Sequence, residues 1–215
     1  HAPDNAQLLF VHHDTPSGAF YWVSNRQSRD EQVSLSFRIT GKKPEIWHPE
    51  TGAKEAASYS VVDGRTVVQA TLTPDDAIFV VFDADDAMGG GAVLPVVSTA
   101  ELATVDTPWT VQFQPHRGAP ASAVFPQLVS YTENSDAGIK YFSGTAVYTN
   151  TFNISGKLLK QGRRVLIDLG EVKNMAEVIV NGKNLGVLWK LPFRTDITDA
   201  LVKGRNTVVL NVTNL

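Results

Sequence analysis

Short runs in which apolar and polar side chains alternate, each closed by Gly, Pro, Asn or Asp, recur at roughly 8–12-residue spacing along the chain, and this pattern admits little besides an all-β fold. Val33, Leu35, Phe37 and Ile39 alternate with Ser34, Ser36 and Arg38, the period of a strand with one buried and one wet face. Tyr59 to Val62 joins Thr66 to Ala70 through Asp63-Gly64, and Asn181-Gly182 separates two further apolar runs; both dipeptides suit the two-residue hairpin turn, whose central residues need φ > 0. Ile78 to Phe82 reads IFVVF, five apolar residues in a row, which predicts a strand covered on both faces. Leu8 to Val11, Ala19 to Ser24 and Glu45 to His48 complete the first set. A second set follows at Trp109 to Phe113, Gly144 to Phe152, Val165 to Leu169, Met175 to Val180, Gly186 to Trp189 and Thr207 to Val212. Thr195 to Leu201 has the look of one capped helical turn.

Between the two sets, Asp83 to Val97 (DADDAMGGGAVLPVV) brings acids, three consecutive Gly and a Pro, the composition of a flexible connection. The expected organisation is therefore two β-sandwich domains, residues 1–85 and 98–215, joined by a linker at 86–97. A chain of 215 residues can bury a sizeable core without disulfides, and it contains no Cys. Disulfide frameworks, thiolate metal sites and cysteine nucleophiles are thereby excluded. With 19 Lys and Arg against 22 Asp and Glu, scattered along the chain, there is no basic footprint for nucleic acid. No segment approaches the ~18 apolar residues of a membrane span. HAPDNAQ at the start has no secretory-signal pattern, and the sequence ends directly after a strand, so a fragment of a longer exported protein is expected.

Chemistry-bearing residues are few. Glycoside hydrolysis needs two carboxylates held about 5–9.5 Å apart, and Glu133, Asp136, Asp168, Glu171, Glu177, Asp196 and Asp199 are available, but acids at turns and strand ends usually cap or solvate and no spacing singles out a pair. His12, His13 and Asp14 are the densest group of metal-ligating types. On a strand, adjacent His residues face opposite ways, so a polar edge strand is the expected reading and no metal site is assigned. No nucleotide-binding, serine-hydrolase or zinc-peptidase motif occurs, and no cofactor is expected. Aromatic and cationic residues concentrate in the second half. Trp109, Tyr141 and Phe142 flank strands and are expected in the core, whereas Trp189, Lys190, Phe193 and Arg194 surround Pro192 in a loop. Aromatic rings stack on sugar C–H faces and charged forks bond hydroxyls, so these four, with Tyr131 and Glu133, are the candidate carbohydrate-binding residues; a neighbouring domain is the other contact they could make.

The stretch from GIKYFSGTAVYTNTF through RVLIDLGEVKNMAEVIVNGKNLGVLWKLPFRTDITDAL to GRNTVVLNVTNL resembles the galactose-binding-like jelly roll of family 2 and related glycoside hydrolases, and most of all the C-terminal region of family 106 α-L-rhamnosidase-like enzymes. FYWVSN, VSLSFRI and EIWHPETG extend the resemblance into the first half, to the small β domain that follows the catalytic barrel there. The resemblance implies that the second domain is a jelly roll, that the parent is a rhamnosidase-like glycosidase, and that the catalytic residues lie on a barrel of about 250 residues for which this chain has no room. None of the family's catalytic residues has a counterpart here. A non-catalytic accessory region is the leading expectation, its partners the barrel of the same parent chain and a plant-type glycan, in a periplasmic or extracellular setting. A structural calcium ion held by acids such as Asp136 or Asp168 is compatible with the sequence, though no ligand spacing demands it. Two alternatives stand beside it: a small self-contained glycosidase using Glu133 or Asp136 with a second carboxylate, and a structural interaction module of a cell-surface protein.

Overall fold

A computed structural model of the protein describes residues 5–87, 91–95, 98–159 and 162–214. The chain start, Leu215 and part of the expected linker, including Gly89 and Gly90, lie outside those residues. The fold is all-β, with four sheets and one short α-helix among the described residues, and the chain divides into two compact units, His1–Thr99 and Ala100–Leu215.

In the first unit, β1 (Leu8–Asp14), β2 (Ala19–Asn25), β4 (Lys42–Trp47), β5 (Lys54–Ala56) and β8 (Ala77–Asp85) form an antiparallel five-stranded sheet in the order β1-β2-β8-β4-β5. A second sheet, β3-β7-β6, is built from β3 (Glu31–Phe37), β6 (Ser58–Val62) and β7 (Arg65–Leu72). The core lies between them: Val23, Ile46, Ile78, Val80 and Phe82 from one sheet meet Val33, Phe37, Tyr59, Val68 and Leu72 from the other. Asp63 (φ 51°) and Gly64 (φ 69°) make the β6–β7 turn in the left-handed conformation the sequence foretold. Gly18, in the β1–β2 turn, sits so close to β8 that a Cβ there would lie 1.7 Å from the Phe82 carbonyl oxygen, so only Gly fits. Part of the glycine-rich connection is pinned rather than free. Tyr59 and Ala92 exchange backbone hydrogen bonds of 2.8 and 3.0 Å, the Leu94 N–H donates to Ser58 Oγ, and Tyr59 Oη donates to Asp86.

The second unit is built on the six-stranded sheet β10-β9-β11-β16-β13-β14, from β9 (Trp109–Phe113), β10 (Ser122–Phe125), β11 (Thr145–Ile154), β13 (Met175–Val180), β14 (Lys183–Leu188) and β16 (Gly204–Thr213). The small sheet β12-β15 comprises β12 (Leu166–Asp168) and β15 (Arg194–Asp196). Val111, Ala146, Val178, Val208 and Leu210 supply the sheet's share of the core, and Ile139, Phe142, Val165, Ile197 and Ala200 pack against it. Helix α1 (Ala137–Lys140) falls in the polar stretch 128–141, where sequence periodicity gave no helix; it is a single turn, started by Asp136 Oδ1 accepting from the Ile139 N–H. Trp109 and Phe142 are buried as expected, but Tyr141 is 77% exposed. It follows the last residue of α1, where the chain turns outward, so flanking a strand did not put it in the core. The expected helical turn at 195–201 divides into β15 and a 3₁₀ turn at Thr198–Ala200.

Candidate functional site

The segment 189–194 leaves edge strand β14 and enters β15. Phe193, only 5% exposed, anchors it, and the Phe193 carbonyl accepts from the Leu169 N–H at 2.9 Å. With Phe193 turned inward, the neighbouring side chains are thrown outward: Trp189 is 62% exposed and Leu191 42%. Arg194 is also exposed, and its Nε donates to Asp168 Oδ2 at 2.7 Å across the β12–β15 pair, in which the two residues are directly opposed. Lys190 is half-buried. Burial by itself would raise the Asp168 pKa, but the Gly170 N–H and the Arg194 guanidinium outweigh it and hold the carboxyl below its ordinary range. Asp196 behaves alike, held down against its own burial by the hydroxyl and N–H of Thr198 and by Arg164. The result is an open aromatic surface at Trp189, in a loop that leads to an Arg whose direction is fixed by a carboxylate. Such a surface can stack on a sugar ring and offer its remaining N–H donors to hydroxyls.

Tyr131 and Glu133 are not brought to this loop. They form a 3₁₀ turn capped by Ser130, and Tyr131 packs on Phe113 of β9, Phe125 of β10 and Tyr148 of β11, at the other end of the sheet order from β14. The Tyr148 hydroxyl donates to the Tyr131 hydroxyl at 2.7 Å, and burial pushes both phenols above their usual pKa. Tyr131 is thus half-buried and packed against the core, while Glu133 is exposed on the turn.

Three of the other carboxylates considered for acid–base work have structural partners. Asp136 caps α1, Glu171 meets Lys173 at 3.2 Å, and Glu177 accepts from Asn184 and Asn211. His12 pairs with Asp14 at 3.2 Å and stacks on Tyr21, while His13 stacks on Phe20, the divergence of neighbours expected on a strand. Among the described residues no three His, Asp or Glu side chains come together as a metal set, and no helix is long and apolar enough to cross a membrane. A shallow concavity of about 670 Å³ runs along β9 and β11, lined by Gln112, Gln114, His116, Thr145 and Val147 among others. His116 reads in the sequence as a lone loop histidine of the surface, and the alternation of β9 places Gln112 on its outer face.

Residues 1–61 match the family model described as alpha-L-rhamnosidase of glycoside hydrolase family 106. The structure of a rhamnosidase from Novosphingobium sp. PP1Y superposes with a TM-score of 0.93 and 41% identity, over 99% of this chain and 20% of that one. A protein of Formosa agariphila that carries a β-glucuronidase name is 46% identical over 107 residues, 50% of this chain and 9% of the relative. The chain is therefore related to rhamnosidase-type glycoside hydrolases and spans about a fifth or less of the length of these relatives.

Proposed function

We propose that this chain is a non-catalytic accessory region of a larger secreted α-L-rhamnosidase-like glycoside hydrolase, periplasmic or extracellular, made of two β-sandwich domains (1–85 and 98–215, joined by 86–97), the second a galactose-binding-like jelly roll. The observation that carries the reading is the Novosphingobium rhamnosidase: its likeness takes in 99% of this chain but only 20% of its own. A (β/α)₈ barrel needs about 250 residues and alternating helices, whereas the described residues here are spent on two β units, each with its own core. The catalytic residues of the parent accordingly belong to the rest of its polypeptide.

Within the second domain, the 189–194 loop is the part suited to a plant-type oligosaccharide. Trp189 offers the ring, Arg194 and Lys190 the cationic donors, and Phe193 the anchor that keeps the ring turned outward. Tyr131 and Glu133, at the other end of the sheet, take no part. The test is calorimetric titration of the purified chain with rhamnose-containing oligosaccharides, with aryl-rhamnoside turnover assayed on the same sample. Binding that disappears in Trp189→Ala without turnover is the expected result. Turnover by this chain would overturn the accessory reading, and binding that survives Trp189→Ala would overturn the assignment of the loop.

A further inference from the structure

Among the described residues, the five-stranded sheet carries a second, partly exposed apolar face. Its core side meets the three-stranded sheet, and on that side stand Val23, Ile46, Ile78, Val80 and Phe82. The alternate positions point the other way, and in register they form one row across all five strands: Val11 opposite Trp22, Trp22 opposite Phe79, Phe79 opposite Trp47, and Trp47 opposite Lys54. A parallel row runs His13, Phe20, Val81 and Glu45. Leu9 and Val11 at its edge are 49% and 47% exposed, and the aromatic rings in the middle are half-buried, with His13 stacked on Phe20 and Lys54 over Trp47. The outer face of a two-layer antiparallel sheet ordinarily alternates to polar residues. Here it does not, which is why IFVVF reads as a strand covered twice.

We infer that this face is a docking surface for the remaining part of the same polypeptide, an inference that rests on the accessory-region reading. Two observations name that occupant. The related rhamnosidase that reproduces this whole fold has four-fifths of its chain beyond it, and the rhamnosidase family model takes in residues 1–61, which include β1, β2, β4 and β5, four of the five strands that carry the face. A sugar is a poorer fit. Lys54 Nζ lies 3.6 Å from the centre of the Trp47 ring and blocks its face, Phe20 and Phe79 meet edge-on, and Trp47 Nε1 is already bonded to Glu45. Interlocked rings rimmed by Lys54, Glu45 and His13 have instead the composition of a protein interface centre with a polar rim.

The test is hydroxyl-radical footprinting of the 215-residue chain and of the full-length parent protein, read by mass spectrometry at Trp22 and Phe79 with buried Trp109 as the internal standard. Oxidation of Trp22 and Phe79 should fall severalfold in the parent, and Trp22→Glu in the parent should return Phe79 to the level of the shorter chain. Equal oxidation in both proteins overturns the inference. Protection of the shorter chain by added oligosaccharide, or by raising its own concentration, overturns it in favour of a sugar face or of self-association. Because the readout involves no substrate, a parent that docks this face yet cleaves no rhamnoside would refute the proposed function alone.

Discussion

Replacing Asn206 by Ala should be among the most damaging single changes in the second unit. The side chain is 1% exposed and all four of its bonding positions are used: Nδ2 donates to the Val202 and Gly204 carbonyls at 2.9 and 2.8 Å, and Oδ1 accepts from the Val202 N–H at 2.8 Å and from Asn181 Nδ2 at 2.7 Å. It thus closes the 202–204 loop onto β16 and ties it to the β13–β14 hairpin. At about 1 kcal/mol per net hydrogen bond the loss is about 4 kcal/mol, reduced because exposed Val202 can be reached by water and Asn181 keeps the Ala200 carbonyl. A value of about 3 kcal/mol remains, which for a unit of this size lowers Tm by roughly 10 °C. Scanning calorimetry should show the transition of the second unit falling by that amount. Asn206→Asp provides the sharper control. It keeps both acceptor contacts but aims a carboxylate at two carbonyls, so it should be at least as unstable at neutral pH and recover in part as the pH falls and the acid is protonated. A loss below about 1 kcal/mol in Asn206→Ala, or a neutral-pH stability of Asn206→Asp equal to the parent's, would refute the network as the source of the stability.

Other outcomes follow from buried groups and close approaches. Glu31 is 1% exposed and its carboxylate is held by Arg29 at 2.7 Å, so Arg29→Ala should destabilise the first unit by about 3 kcal/mol in urea unfolding, whereas Arg29→Lys should recover part of the loss. Gly18→Ala drives a methyl into the Phe82 carbonyl and should cost about 2 kcal/mol or more; a neutral result would mean that the β1–β2 turn yields freely. The carboxyl groups of Asp168 and Asp196 have folded pKa values below their unfolded ones, so their contribution is complete above about pH 4 and is lost as pH falls through the folded values. A Tm titration in acid should accordingly show a shallower decline for Asp168→Asn than for the parent sequence. Tyr131→Phe leaves the Tyr148 hydroxyl without its acceptor and should cost about 1 kcal/mol while leaving any oligosaccharide affinity untouched.

The hairpin at Asn181-Gly182 separates what was legible in the sequence from what was not. Asn181 was read for its tolerance of φ > 0, and its φ is 50°. Its side chain does more: Oδ1 accepts from the Thr207 N–H on β16 and Nδ2 donates to the Ala200 carbonyl and to Asn206. Those partners lie 19 to 26 residues away along the chain, and no local pattern encodes them. The candidate site divides in the same way. Trp189, Lys190, Phe193 and Arg194 were drawn together because they are neighbours in sequence; only the packed structure turns Phe193 inward and Trp189 outward, and only strand pairing brings Asp168 to Arg194. Tyr131 has the same composition-level appeal as Trp189, but the structure packs it against the aromatic core around Tyr148.

By itself the sequence determined the β class and the turns at Asp63-Gly64 and Asn181-Gly182, because alternation and φ > 0 turns are local properties of a few adjacent residues. It also determined, through IFVVF, that one strand expects cover on both sides. Which strands lie side by side, which face of the five-stranded sheet is filled and which stays partly exposed among the described residues, and which carboxylate meets which cation were decided by tertiary structure alone. These depend on contacts between residues far apart in the chain, which no local pattern encodes.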